Sequence, residues 1–88
     1  MDITNSKILV TGGAGFIGSY VVEELLLHKP AKIIILDNFI RGTRENMKSF
    51  IDNPTVEFIQ GDMRDSGLLE RCIADVDYVF HMAALRIN

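Results

Sequence analysis

The sequence predicts an α/β fold, specifically the first half of a doubly wound parallel sheet. Four short apolar runs recur along its 88 residues, and segments with the apolar spacing of helices lie between them. A glycine-rich turn joins the first run to the first helical segment. Because parallel strands are joined by right-handed crossovers, we expect the element order β-α-β-α-β-α-β and the strand order 3-2-1-4.

The predicted strands are Ile8–Val10, Ile33–Leu36, Val56–Ile59 and Tyr78–Phe80. The second has no alternation of apolar and polar residues, which is typical of a parallel strand buried on both faces. The third alternates in part, which favours an edge position.

The first predicted helix covers Ser19–Leu27 and ends before Lys29-Pro30. Its apolar residues Ile17, Val21 and Leu25 recur at i, i+4 and i+8, so we expect them to form one buried stripe.

Two further helical segments are predicted. Thr43 can cap the second, which Asn53-Pro54 closes and whose apolar side is Met47, Phe50 and Ile51. Asp65 is a good N-cap for the third, which carries the i, i+4 pairs Leu68 with Cys72 and Leu69 with Ile73.

Composition excludes several classes of function. The net charge is −3, and no basic run is interleaved with aromatic residues, so we expect no nucleic-acid partner. Neither a signal peptide nor a bilayer-spanning run is readable, which predicts a soluble cytoplasmic protein without a membrane partner. The single cysteine, Cys72, is expected in the core. His28 and His81 have no metal-ligand partner at suitable spacing, so no metal is predicted; His28 is interpreted as a surface residue and His81 as a strand-end hydrogen-bonding residue.

The glycine-rich turn predicts a dinucleotide site. Gly12 can adopt the conformation of a tight turn, Gly15 lets the main chain approach a pyrophosphate, and Gly18 allows close packing of helix on strand. The helix that follows presents free N–H groups to an anion. The alternative is a turn that merely joins strand to helix, but the flanking strand and helix favour the dinucleotide site.

Asp37 ends the second strand about 20 residues after the last glycine, the usual distance for a carboxylate that binds the ribose hydroxyls of NAD. A 2′-phosphate would face this carboxylate, so NAD is favoured over NADP. The alternatives are that Asp37 only begins a turn, and that Arg41 pairs with a 2′-phosphate. With Asp37 present, we interpret Arg41 as solvated or flanking the adenine.

Four motifs in this order resemble the N-terminal motifs of extended short-chain dehydrogenases/reductases, and most of all the NAD-dependent epimerase/dehydratase family that acts on nucleotide sugars. They are Thr11-Gly12-Gly13-Ala14-Gly15-Phe16-Ile17-Gly18, Leu36-Asp37-Asn38-Phe39 with Arg41-Gly42, Gly61-Asp62-Met63-Arg64-Asp65, and Val79-Phe80-His81-Met82-Ala83-Ala84. The resemblance covers nearly the whole chain.

The resemblance implies a Rossmann-type fold and a set of NAD contacts. Backbone N–H groups of Phe16 and Ile17 would bind the pyrophosphate, and Asp37 the ribose. The adenosine side would be lined by Asn38 and Gly42. Asp62 would accept a hydrogen bond from the adenine amino group, and Met63 would lie along the adenine ring. A wall of small residues would be formed by Met82, Ala83 and Ala84. Arg86 would place a basic group near the cofactor. By itself, Gly61-Asp62 also reads as an ordinary turn.

The family's catalytic Ser/Thr and Tyr-x-x-x-Lys pair do not occur in the sequence, so no catalytic residue is predicted. Residues 1–88 are expected to be the N-terminal part of an NAD-binding domain, inactive alone. The resemblance implies a full-length homodimer that binds NAD and a nucleotide sugar, most of all a UDP-sugar 4-epimerase that transfers a hydride transiently to NAD. The alternatives are a UDP-glucuronate decarboxylase, a sugar-nucleotide dehydratase, or a non-catalytic NAD-binding module; an interaction domain without ligand would leave the glycines and Asp37 unexplained.

Overall fold

The computed structural model describes residues 3–12, 16–38, 45–62 and 64–82, with Phe16 described by its backbone alone. Within these ranges, four parallel strands form one sheet in the order β3-β2-β1-β4, which confirms the predicted arrangement. The strands are β1 (Lys7–Thr11), β2 (Lys32–Asp37), β3 (Val56–Gln60) and β4 (Tyr78–His81). The helices are α1 (Phe16–Leu26) and α2 (Ser66–Ile73), and a short 3-10 helix covers Glu45–Met47.

The strand order reverses at β1. The chain moves outward from β1 to β2 and β3, then returns past both to place β4 on the other side of β1. Right-handed crossovers in opposite directions put their connections on opposite faces of the sheet. The described residues follow this rule, since α1 and the 3-10 segment share one apolar cluster and α2 contributes to another.

The sheet interior is apolar on both faces because β1 and β2 lie in its middle. Ile8, Val10, Ile33 and Ile35 belong to the α1 side, while Leu9, Ile34 and Leu36 belong to the α2 side. This accounts for the absence of alternation in β2. The edge strand β3 has an exposed Glu57 between half-buried neighbours, as its partial alternation predicts.

The predicted stripe on α1 is wrong at its first position. Ile17 is 65% exposed, and the buried residues are Gly18, Val22 and Leu25, together with Ser19. The face that packs on the sheet therefore begins one residue later, at a glycine, and continues at i+4 and i+7. Val21 is only half-buried, at the margin of this face.

The second predicted helix is shorter than expected. The structure has the 3-10 turn Glu45–Met47 followed by turns, while the predicted cap, Thr43, lies outside the described residues. The apolar side is nevertheless correct, because Met47 and Phe50 are buried against α1 and the sheet. Burial of these two side chains does not require a full α-helix.

The third predicted helix and its cap are confirmed. Asp65 Oδ1 accepts a hydrogen bond from the backbone N–H of Leu68 at 3.1 Å, and α2 begins at the next residue. Cys72 is buried in the cluster beneath α2, although Ile73 is 43% exposed. Among the described residues, no helix is long and apolar enough to cross a membrane.

Candidate cofactor-binding site

The carboxyl ends of all four strands lie at one edge of the sheet because the strands are parallel. Backbone hydrogen bonds continue across this edge: the N–H of Gly12 donates to Leu36 O at 2.8 Å, that of Gly61 to Asp37 O at 3.0 Å, and that of Met82 to Thr11 O at 2.7 Å. Of the predicted site residues, this brings Gly12, Asp37, Asp62 and Met82 to one edge. In doubly wound sheets, ligands bind there, beside the point where strand order reverses.

The glycine-rich turn follows the central strand β1. Gly12 has a φ of 77°, in the left-handed region that glycine adopts without strain, so this position requires the residue found there. The helix α1 begins four residues later at Phe16, and Gly18 is buried in its first turns. The described residues thus have the strand, turn and helix that the dinucleotide interpretation requires.

Asp37 is the last residue of β2 and is 7% exposed. Its backbone oxygen accepts the Gly61 N–H, which fixes the end of β2 against the end of β3. Asn38, the next residue, is exposed. A carboxylate therefore lies one strand away from the glycine turn, as the spacing predicts.

Asp62 follows β3 and is engaged by Arg64. The backbone N–H of Arg64 donates to Oδ1 at 2.8 Å, and its guanidinium reaches both carboxylate oxygens, with Nη2 to Oδ2 at 2.7 Å. These hydrogen bonds lower the pKa of Asp62 from 3.8 to about 2. Sequence reasoning did not find this pair; its signal was an acid and a base two residues apart directly after a strand.

The ends of β1 and β4 are joined by side chains. Thr11 Oγ1 and His81 Nδ1 are 2.7 Å apart, which confirms the strand-end hydrogen bond expected for His81. His28 is exposed near the end of α1, with its Nε2 3.8 Å from the Glu24 carboxylate, as expected of a surface residue. Cys72 is a core residue, and burial raises the pKa of its thiol.

Several predicted site residues lie outside the described ranges, namely Gly15, Gly42, Met63, Ala83, Ala84 and Arg86, and so does Arg41. Ile17 is exposed in the first turn of α1. Within the described part of the chain, no three His, Cys, Asp or Glu side chains come together as a metal site would need.

The sequence model of one protein family matches residues 8–88. The chain belongs to that family, the NAD dependent epimerase/dehydratase family. The expected family is therefore confirmed, and with it NAD as the cofactor on which the family depends.

Relatives of the chain include a decarboxylase and a protein named as an epimerase. The chain is 39% identical over 80 residues to UDP-glucuronic acid decarboxylase 6 of Arabidopsis thaliana, covering 91% of this chain and 22% of the relative. It is 46% identical over 78 residues to a Methanocaldococcus jannaschii protein provisionally named a UDP-glucose 4-epimerase, covering 88% of this chain and 24% of the relative.

A solved family structure has the same fold. The dTDP-glucose 4,6-dehydratase DesIV of Streptomyces venezuelae, with NAD bound, superimposes with a TM-score of 0.84 at 42% identity, covering 92% of this chain and 27% of that one. The chain spans about a quarter of the length of these proteins.

Proposed function

We propose that this chain forms the N-terminal, NAD-binding part of a UDP-sugar 4-epimerase. The observation that carries the cofactor half of the proposal is the edge where Gly12, Asp37, Asp62 and Met82 meet at the carboxyl ends of four parallel strands. The family match and the enzyme relatives support the catalytic half.

The residues at this edge fit a dinucleotide. A glycine with positive φ precedes the first turn of α1, whose N–H groups have no intrahelical acceptor and favour a pyrophosphate. Asp37 supplies a carboxylate for ribose hydroxyls, and Asp62 supplies one for the adenine amino group. We assign the remaining contacts to the turn and strand ends, namely Gly15, Phe16, Ile17, Gly18, Asn38, Gly42, Met63, Met82, Ala83, Ala84 and Arg86.

The chemistry divides between this part and the rest of the protein. Bound NAD supplies a reversible hydride acceptor. This chain's residues bind and orient the dinucleotide, while in the family a Tyr-x-x-x-Lys pair takes the proton from the sugar hydroxyl. Neither tyrosine of this sequence has a lysine four residues later, since Glu24 follows Tyr20 and Met82 follows Tyr78. We therefore place proton transfer and sugar binding in a longer protein.

The segment Leu36-Asp37-Asn38-Phe39 with Arg41-Gly42 favours an epimerase or a decarboxylase over a dTDP-glucose dehydratase, because it is more similar to UDP-sugar enzymes. The 46% identity to the Methanocaldococcus protein supports the epimerase, and the Arabidopsis relative supports UDP-glucuronate decarboxylation as the second candidate. The similarity of the Leu36-Asp37-Asn38-Phe39 and Arg41-Gly42 segment to UDP-sugar enzymes lies in a loop assigned to the cofactor and not in a sugar-binding site.

Product analysis separates the candidates. The full-length protein carrying this sequence is incubated with UDP-glucose, UDP-N-acetylglucosamine, UDP-glucuronate and dTDP-glucose, and the products are resolved by chromatography and mass spectrometry. We expect a C4 epimer of a UDP-sugar. UDP-xylose, or a 4-keto-6-deoxy sugar, without any C4 epimer would overturn the epimerase proposal and leave the NAD-binding part intact.

A further inference from the structure

Arg64 engages the Asp62 carboxylate through three N–H groups. Its backbone N–H donates to Oδ1 at 2.8 Å, Nε lies 3.1 Å from both oxygens, and Nη2 donates to Oδ2 at 2.7 Å. A planar guanidinium bound to both oxygens fixes the plane of the carboxylate as well as its position. This arrangement restrains the rotation of the Asp62 side chain.

Hydrogen bonds also hold the backbone on both sides of Asp62. The preceding residue, Gly61, donates its N–H to Asp37 O at 3.0 Å, and the Asp62 carbonyl accepts the Asp65 N–H at 2.9 Å. Asp65 in turn caps α2. The carboxylate thus has a defined place relative to the end of β2 and the start of α2.

The hydrogen-bonding capacity of the carboxylate is almost filled. An ionised carboxylate offers about four lone-pair positions. Three Arg64 N–H groups make four contacts with the carboxylate, two on each oxygen, because the Nε–H is shared between Oδ1 and Oδ2. A ligand N–H can therefore take one of the two positions that the Nε–H shares, and each donor still has an acceptor. The Asp62 side chain is 36% exposed, which leaves this position open to a ligand at the edge of the sheet.

We propose that Arg64 is a positioning residue for purine selection: it orients the Asp62 carboxylate so that the acceptor position shared by the Nε–H receives an N–H from the 6-amino group of adenine and repels a 6-oxo group. The inference rests on the proposed function, since it takes Asp62 as the adenine contact. The carboxylate is ionised at neutral pH and accepts hydrogen bonds without donating any. Arg64 holds the pKa of Asp62 at about 2, which extends this state to lower pH. An acceptor-only group discriminates an amino base from an oxo base because the latter leaves two acceptors facing each other.

The test compares two dinucleotides that differ only at that position, NAD and nicotinamide hypoxanthine dinucleotide. Dissociation constants are measured by calorimetry on the full-length protein freed of bound nucleotide. We expect wild type to prefer NAD by roughly tenfold or more. Arg64→Ala should reduce this preference at least about threefold, because the carboxylate loses its fixed orientation. Arg64→Lys should give an intermediate preference, since an ammonium retains the charge without the fork.

Matched variants separate the inference from its premise. Arg71→Ala removes an exposed arginine from the last turn of α2 and should leave the preference unchanged. Asp62→Asn should abolish it, because an amide can donate to a 6-oxo group as well as accept. If wild type shows no preference, or Asp62→Asn keeps it, the assignment of Asp62 to adenine is wrong. If both behave as expected while Arg64→Ala and Arg64→Lys keep the full preference, only the role of Arg64 is overturned.

Discussion

Two carboxylates at the carboxyl edge of the sheet differ in their surroundings. Asp37 is 7% exposed at the end of β2, whereas the side chain of Asp62 is 36% exposed and held by a guanidinium. Burial makes Asp37 sensitive to the charge of a ligand group placed against it, because little water screens the interaction there. The Arg64 guanidinium holds the pKa of Asp62 at about 2. We propose that the same residue type performs two kinds of recognition here.

Asp37 is predicted to discriminate NAD from NADP. In the full-length protein, Asp37→Ala should weaken NAD binding by on the order of 1 to 3 kcal/mol, because ribose hydrogen bonds to a charged group are lost. NADP binding should weaken less or improve, since the carboxylate no longer repels a 2′-phosphate. Dissociation constants for both cofactors measure this. Asp52→Ala, exposed before the amino end of β3, is the control, and an unchanged NAD to NADP ratio in Asp37→Ala would contradict the assignment.

The Asp62–Arg64 pair predicts a shifted titration. Because hydrogen bonds from Arg64 lower the pKa of Asp62, the pair's stabilising contribution is fully present above the ordinary value of 3.8 and is lost as the pH falls toward about 2. Carboxyl carbon NMR should give a midpoint of about 2 for Asp62 in wild type. In Arg64→Ala the midpoint should return toward 3.8. Equal midpoints in the two proteins would show that the pair does not form in solution.

At the scale of the elements, the contact between β3 and α2 is constrained by a glycine. A Cβ added at Gly61 would overlap with Leu68 Cδ2, so Gly61→Ala requires the half-buried Leu68 to move. We expect a destabilisation of about 1 kcal/mol or more, measured as the change in thermal unfolding of the full-length protein.

Two comparisons test this interpretation. In a Leu68→Ala background the overlap is gone, so Gly61→Ala should cost less than it does alone. Gly67→Ala is the matched control, because its Cβ would lie 3.6 Å from Asp65 Oδ1, an ordinary contact. It should stabilise α2 by up to about 1 kcal/mol through higher helix propensity. An equal cost for Gly61→Ala in both backgrounds would exclude the overlap as its cause.

The sequence predicts elements and their order better than it predicts side-chain environments. The unbroken apolar run of β2, the partial alternation of β3 and the cap at Asp65 each follow from local patterns, and all three are confirmed. These features succeed because period and capping are local properties. The strand order also follows, since right-handed crossovers leave few arrangements.

The errors arise where tertiary packing decides. Ile17 fits a helical stripe, but the sheet packs against the face that begins at Gly18, which a periodic pattern alone could not distinguish. Met47 is buried at the end of a 3-10 helix and Phe50 in the turn that follows, where the sequence predicts an α-helix, because burial constrains where a side chain lies and not the backbone that carries it. Arg64 was not singled out, since an exposed arginine two residues after an aspartate has many possible partners.

At the scale of the whole molecule, the reversal of strand order at β1 determines where a ligand can lie. The connection that leaves β1 through α1 and the connection that enters β4 through α2 lie on opposite faces of the sheet. In such sheets ligands bind in the crevice outside the carboxyl ends of the strands. The main chain there is tied by the hydrogen bond from Met82 N–H to Thr11 O and by the Thr11–His81 pair. We propose that the described residues provide one wall of a cofactor site, and we place the sugar site in the longer protein.

An 88-residue polypeptide of this sequence is predicted to show no epimerase, decarboxylase or dehydratase turnover. Hydride transfer from a sugar requires a base that removes the hydroxyl proton, and neither Tyr20 nor Tyr78 has the lysine four residues later that would complete a Tyr-x-x-x-Lys pair. Mass-spectrometric product analysis with NAD and each UDP-sugar should detect product from the full-length protein and none from the polypeptide. Turnover by polypeptide shown to be free of full-length enzyme would mean that another group in these 88 residues acts as the base. Weak binding of NAD by the same polypeptide would remain compatible with the proposal, because the adenosine contacts that we propose for Asp37 and Asp62 lie within it.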